Sequence, residues 1–281
     1  MSKTTFKLSE DFYSVQCEGL STGYPAYFVR LTDCNLACGF TQKMLNQIRK
    51  GEITDTAGTI VGDLQDEGLA TWTCDSAPVW LKGREVPFQY LIDRWKEQGI
   101  YEDICSGLIH IIWTGGEPTL KYHQESIIAF TEWWIGHEPL VYEAGDVIQF
   151  NPYYEIETNG TIFIEPVLMS YLKQINCSAK LANSGMSEKK RIVPESITRI
   201  MQHPNYSFKF VISTEEDIKE FMGDYVKPFN MPLHKVICMP GLDKQENFHE
   251  RTRFVLEMAK KYKFIGLTRL HISAWNQATG V

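Results

Sequence analysis

Cys34 and Cys38 stand four residues apart in CNLACGF, directly after the apolar run AYFVRLTD, and the next thiol along the chain is Cys74, in TWTCDS. Three thiolates can ligate three irons of a [4Fe–4S] cube and leave the fourth iron open to a substrate or cofactor. Zinc competes for such residues, but its sites favour paired C-x2-C knuckles and four ligands, and the chain has no C-x2-C. A third reading is inert buried cysteine, since free thiols are among the most buried side chains. Cys105, Cys177 and Cys238 are poorer candidates for the third ligand. Cys177 is the best of these, because it ends a predicted strand.

Such ligands need a scaffold. Short β-rich runs recur along the chain: AYFVRL, LIHIIW, YYEIET, QINCSA, FKFVIS, KVICMP and LTRLHIS. Between them lie VPFQYLIDRWKEQG, HQESIIAFTEWWIG, IEPVLMSYLKQ and ENFHERTRFVLEMAKKY, with apolar residues at helical spacing. Strands alternating with helices predict an α/β fold with a parallel sheet, whose active site lies at the C-terminal ends of the strands. The residues after each run agree: TDCNLAC, TGGEP, TNGT, SAK and HISAW follow in turn. The bland explanation is that strand ends carry turn residues in any protein. The segment 41–71 breaks the alternation; it reads as a helix followed by a glycine-rich, acidic excursion between Cys38 and Cys74.

The bulk properties set limits. The chain has 281 residues, 43% hydrophobic and 22% charged, enough to bury a full core in one domain over 1–281. A net charge of −7 argues against a general nucleic-acid binder. No apolar stretch is of membrane-spanning length, and the N-terminus lacks a signal-like apolar core. Seven scattered cysteines fit reduced thiols rather than a disulfide scaffold. A cytoplasmic protein is expected.

The motifs taken in order carry a resemblance. CNLACGF, continued by an aromatic residue and CDS, resembles the C-x3-C-x-aromatic-C signature of radical S-adenosylmethionine (SAM) enzymes, opened by an insertion. FYSVQCEGLSTGYPAYFVRLTDCNLAC, WTGGEPTL, EIETNGT, CSAKLANSG, FKFVI and HISAWNQATGV resemble successive blocks of the 7-carboxy-7-deazaguanine synthases, over most of the chain. Departures are the insertion, Cys17 in place of glycine, Ser76 in place of threonine, and Ser178-Ala179-Lys180 in place of Ser-Pro-Lys. None removes a side-chain type that the chemistry requires.

The resemblance implies a partial, incomplete TIM-like barrel and a radical SAM lyase. That enzyme class converts 6-carboxy-5,6,7,8-tetrahydropterin to 7-carboxy-7-deazaguanine with loss of ammonia. A cluster on Cys34, Cys38 and Cys74 would cleave SAM to a 5′-deoxyadenosyl radical, with no further catalytic side chain assigned. Phe40 or Trp72 would be the signature aromatic. Gly115 and Gly116 would admit backbone close to the cofactor's methionine portion, Glu117 would take its ammonium, and Ser178 and Lys180 would face its carboxylate. Glu157 and Asn159 would hold its ribose. Gln16, Glu18 and Thr114 would meet the pterin, and Arg30 and His271 its anionic part. The Val281 carboxylate would fold back onto the ring. Mg2+ would bind Ser76. A flavodoxin or ferredoxin would donate electrons, and a homodimer is implied. Two other functions stay open: a glycyl-radical activating enzyme, which would not need the QCEG block, and a metal-stabilised interaction protein, in which the fourth coordination position would be filled.

Overall fold

The computed structural model describes residues 4–53, 70–137, 141–143, 146–148, 150–241 and 247–275. Its main sheet has nine strands in the order β11-β10-β9-β8-β7-β4-β2-β1-β3. The strands are β1 (Thr5–Val15), β2 (Pro25–Leu31), β3 (Arg84–Pro87), β4 (His110–Gly115), β7 (Tyr154–Thr158), β8 (Leu172–Cys177), β9 (Tyr206–Ile212), β10 (Val236–Pro240) and β11 (Ile265–Gly266). β5 (Val141–Glu143) and β6 (Asp146–Ile148) form a separate antiparallel pair. From β2 through β11 the main sheet is parallel and open, as an incomplete barrel requires.

Two features depart from the simple alternation. β1 pairs antiparallel with both β2 and β3, so the sheet ends in a hairpin rather than a βα unit. Its sequence carries the period-2 signal: Phe6 and Leu8 are buried while Lys7 is exposed. LTRLHIS is not a strand. Only Ile265–Gly266 pair with β10, and Leu270–Trp275 is a helix with Ile272 as its buried residue. His271 therefore sits at a helix start, not at a strand end.

Side chains alternate across the sheet and give its faces opposite characters. Tyr27, Val29, Trp113, Ile156, Ile175, Phe208 and Phe210 join the main apolar core. Helix Lys121–His137 packs there through Ile127, Phe130 and Trp134. Strand positions of the other parity include Arg30, Thr114, Glu155, Glu157, Asn176, Ser207 and Lys209, beside a small apolar patch of Ala26, Phe28 and Ile112. Burying each apolar side chain contributes roughly 1.5–3 kcal/mol, so the helix-covered face holds the fold together. The polar face is left for chemistry.

The inserted segment begins as a helix, α1 (Gln42–Lys50). Thr41 caps it, its hydroxyl accepting from the Met44 amide at 3.3 Å, and Gly51 ends it in the left-handed region. Leu45 and Ile48 bury against Phe40, Ala77 and Trp80 in a small satellite core. The expected glycine-rich, acidic excursion falls largely at 54–69, outside the described residues. Among the described residues no helix is long and apolar enough to cross a membrane.

Candidate active site

The insertion separates Cys38 from Cys74 along the chain and not in space. The Cys74 amide donates to the Cys38 carbonyl at 3.1 Å. A Cβ on Gly39 would lie 2.3 Å from the Trp72 carbonyl oxygen, so only glycine admits this approach. The arm carrying Cys74 is tied down on its other side. The Thr71 amide donates to the Asn183 carbonyl and the Trp72 indole to the Asn183 side chain, each at 2.9 Å. Cys34 and Cys74 both pack against the satellite core.

Burial pushes all three thiols up. Cys34 is raised further by Glu117 and by the two other thiols, and Cys38 rises to about 11, with Lys180 as its opposing cation. Burial also raises Cys74, with Asp75 adding to the effect and Lys180 opposing it. Protonated at neutral pH, these thiols would ionise on binding iron. Among the described residues no three His, Cys, Asp or Glu side chains converge as a single metal ion would require. Three thiols at one loop cluster, beside a cation and with no fourth cysteine, suit a cube with one open iron. The competing cysteines are spent elsewhere: Cys105, Cys177 and Cys238 lie in the main core with no exposed surface.

β4 ends against the cysteine loop. The Gly116 amide donates to the Leu31 carbonyl at 3.0 Å and the Glu117 amide to the Asp33 carbonyl at 2.8 Å. Gly115 has φ of 115°, which L side chains rarely adopt. Glu117 is fully buried, and its carboxylate is already engaged. Oε1 accepts from the Thr119 amide (3.0 Å), the Thr119 hydroxyl (2.5 Å) and the Thr158 hydroxyl (2.7 Å), and Oε2 accepts from the Asn159 amide (2.7 Å). The structure thus gives Glu117 the work of joining the ends of β4 and β7. Asn159 in turn donates to Asn35 at 2.9 Å and approaches Cys34 Sγ at 3.8 Å.

Lys180 donates to Ser178 Oγ at 2.9 Å and lies 5.7 Å from the centre of the Trp72 ring. Trp72, not Phe40, is therefore the aromatic beside the cation, since Phe40 is buried in the satellite core. Ser76 precedes the short helix Ala77–Trp80 and donates to Asp75 at 3.0 Å.

The remaining candidates line the polar face. Glu157 accepts from Gln16 at 3.1 Å and from Thr114 at 2.7 Å. Glu18 pairs with the Lys209 ammonium and lies 3.7 Å from Arg269 Nε. Burial opposes ionisation of Glu18, but the two cations prevail and hold its carboxyl far below the usual carboxylate range. Burial lowers His271 against the pull of Glu18. Arg30 is committed to Glu10 across the β1–β2 hairpin at 2.5 Å. Val281 lies outside the described residues.

Lys209 and Arg269 were absent from the expected site. A lysine inside the apolar strand FKFVI is the one sequence signal that could have singled out Lys209. Arg269 reaches Glu18 and also Asp75, at 3.4 Å, and so bridges the Gln16–Glu18 segment and the cluster arm. Removing Lys209 would leave a poorly solvated carboxylate with Arg269, 3.7 Å away, as its remaining ion-pair partner. Lys209→Met is expected to destabilise the fold by roughly 3 kcal/mol at neutral pH. Because the pair lowers the folded pKa of Glu18, its contribution is complete above the ordinary glutamate value near 4.5 and drains away as pH falls below it. Chemical unfolding at pH 7 and pH 3 would test this; equal losses at both would refute the pairing.

Comparisons with known proteins extend this geometry. No protein-family model matches the chain. A 7-carboxy-7-deazaguanine synthase of Pyrobaculum aerophilum is 25% identical over 275 residues, covering 98% of this chain and 96% of that protein. The chain is a relative of the 7-carboxy-7-deazaguanine synthases. The synthase of Leptospira interrogans is 26% identical over 222 residues, covering 78% of this chain and 76% of that one. In fold, the crystal structure of QueE from Escherichia coli matches with a TM-score of 0.55 and 18% identity, over 94% of this chain and 93% of that one. The likeness to the synthases spans both segments that carry the three thiols.

Proposed function

We infer that the chain is a radical SAM enzyme that converts 6-carboxy-5,6,7,8-tetrahydropterin to 7-carboxy-7-deazaguanine, with loss of ammonia, in 7-deazapurine biosynthesis. The observation that carries this reading is the closure of Cys34, Cys38 and Cys74 into one loop cluster at the strand ends, in a chain similar to the synthases from end to end. A bound [4Fe–4S] cluster and SAM would supply the radical that takes hydrogen from the substrate. The chain's own residues bind and orient. Cys34, Cys38 and Cys74 would hold the cluster. Backbone at Gly115 and Gly116, with Ser178, Lys180 and Trp72, would hold the methionine portion of SAM, and Glu157 and Asn159 its ribose.

Gln16 and Thr114, both on Glu157, would present donors and acceptors to the pterin edge. Glu18, anchored by two cations, stays ionised as an acceptor for ring N–H groups. His271 and Arg30 would face the substrate carboxylate, Arg30 after exchanging Glu10 for it. The Val281 carboxylate would complete the pocket. An external flavodoxin or ferredoxin would reduce the cluster, and two copies would form a homodimer. Anaerobic cluster reconstitution followed by assay with 6-carboxytetrahydropterin tests the reading. A reconstituted protein that cleaves SAM yet leaves the pterin unchanged would refute the substrate assignment.

Mg2+ prefers oxygen ligands and keeps several waters, so the Ser76 hydroxyl with substrate oxygens would suffice to bind it. Ser76→Ala is expected to lower turnover about tenfold and raise the magnesium requirement, the loss of roughly one ligand-strength contact. Ser76→Thr, which keeps the oxygen, should stay active. Magnesium dependence left unchanged in the alanine variant would remove Ser76 from the site.

A further inference from the structure

The chain between β1 and β2 closes on itself. The Gln16 amide donates to the Tyr24 carbonyl at 2.8 Å, and the Gly23 amide to the Gln16 carbonyl at 2.7 Å. The loop 16–24 so formed lies along the polar face of the sheet. Its first half carries Gln16 and Glu18 to Glu157 and Lys209. Gly19 crosses so near β8 that a Cβ there would lie 2.7 Å from Asn176 Oδ1.

The second half rests on a buried polar base whose centre lies near the N-terminal ends of β4 and β7. Glu155, with no exposed surface, is its centre. Its Oε1 lies 2.5 Å from His110 Nδ1. Its Oε2 accepts from Ser21 Oγ at 2.7 Å, Asn176 Nδ2 at 2.9 Å and Gln174 Nε2 at 3.1 Å. Tyr24 stacks on His110, with ring centres 5.0 Å apart and planes at 21°. None of these hydrogen bonds reaches the cysteine loops. A buried carboxylate–imidazole pair is a poor source of stability compared with apolar packing. Its role here is geometric, because Glu155 and Gln174 both hold Ser21 while His110 carries Tyr24.

We propose that Glu155 and His110, acting through Ser21 and Tyr24, are positioning residues that hold loop 16–24 in the conformation in which Gln16 and Glu18 meet the substrate. They do not touch the cluster or SAM. The role in substrate binding rests on the pterin reading; the holding of the loop does not.

Cys17 reports on the loop directly. It is 7% exposed, and burial raises its thiol to about 11, so alkylation of the intact loop is slow. Ser21→Ala, Glu155→Gln and the double variant, each as the cluster-loaded full chain, would be treated with iodoacetamide and Cys17 modification followed by peptide mass spectrometry. Each variant should speed alkylation about tenfold and raise KM for the pterin by a similar factor, the worth of roughly one hydrogen bond to a charged group. Turnover number, cluster spectrum and substrate-free SAM cleavage should stay within about twofold of the parent. The double variant should cost less than the sum of the two single changes, since they share the Ser21–Glu155 bond, while Ser21 also accepts from Gln174 at 3.1 Å. Wild-type alkylation rates in both single variants would overturn the proposal, as would fast alkylation with an unchanged KM. Ser21→Ala removes one hydroxyl and decides the matter if Glu155→Gln fails to fold. Should the parent not turn over the pterin, the functional reading falls, and the alkylation rates still judge the loop.

Discussion

Cys74→Ala is expected to abolish cluster binding as completely as Cys34→Ala or Cys38→Ala. The reason is the closed neck: the Cys74 amide bonds the Cys38 carbonyl at 3.1 Å, Cys34 and Cys74 pack on the satellite core, and Lys180 acts on Cys38 and Cys74. A cube held by two protein thiolates loses a full iron–sulfur bond and one wall of its pocket, so partial occupancy is not expected. Alanine variants of Cys105, Cys177 and Cys238 should reconstitute normally, with only the stability cost of trimming a buried side chain. Iron and sulfide per chain, with the visible spectrum, give the measurement. A normal cluster in Cys74→Ala, with loss in Cys177→Ala, would place the third ligand elsewhere. Because the free thiols are raised, reconstitution of the parent should also improve as pH rises, each ligand having a proton to lose.

Gly116→Ala should be nearly as severe. A Cβ at this position would lie 1.8 Å from the Asp33 carbonyl oxygen and 2.4 Å from its carbon, both backbone atoms that cannot rotate aside. Either β4 must lift from β2, breaking the bonds of Gly116 to Leu31 and of Glu117 to Asp33, or the segment leading into Cys34 must shift. The expected loss is roughly 3–5 kcal/mol of stability, together with a fall in cluster content and SAM cleavage. Gly136→Ala is the matched control. It lies in helix Lys121–His137 with nothing within 4 Å of its Cβ position, so alanine there should be neutral or stabilise by up to about 1 kcal/mol. Denaturant unfolding of both variants checks the pair, and similar midpoints would show that the close approach at Gly116 is not needed.

The sequence showed the scaffold through local patterns. AYFVRL, LIHIIW, FKFVIS and KVICMP became β2, β4, β9 and β10, and the helix opening the insertion formed where Thr41 and Gly51 punctuate it. Apolar periodicity and capping act within a few residues, so a linear reading can find them. What it missed depends on partners far along the chain. Arg30, read as a partner for a substrate carboxylate, faces Glu10 only because β1 is a strand that sets the two opposite each other. Lys209 and Arg269 gained meaning only when both reached Glu18. Glu117 takes hydrogen bonds from its neighbour Thr119 and from Thr158 and Asn159, the last two being donors that the folded β7 end brings to it. LTRLHIS had strand composition but only a two-residue place at the sheet edge, and a helix won the rest.

The neck at Cys38 and Cys74 bears on how such a chain can change over time. Where the two ends of an inserted segment are clamped together by a backbone hydrogen bond and a glycine contact, the material between them is free to vary in length. Doubling a closed loop costs only about 0.6 kcal/mol in chain entropy, a loss that one ordinary surface substitution can offset. The helix Gln42–Lys50 belongs to the clasp, since Leu45 and Ile48 pack on Phe40, Ala77 and Trp80, and only the chain between that helix and Thr71 is a cassette. Descendants could shorten, lengthen or replace it, and its interior could acquire new surfaces under its own selection, while the spacing of the three thiols is inherited unchanged.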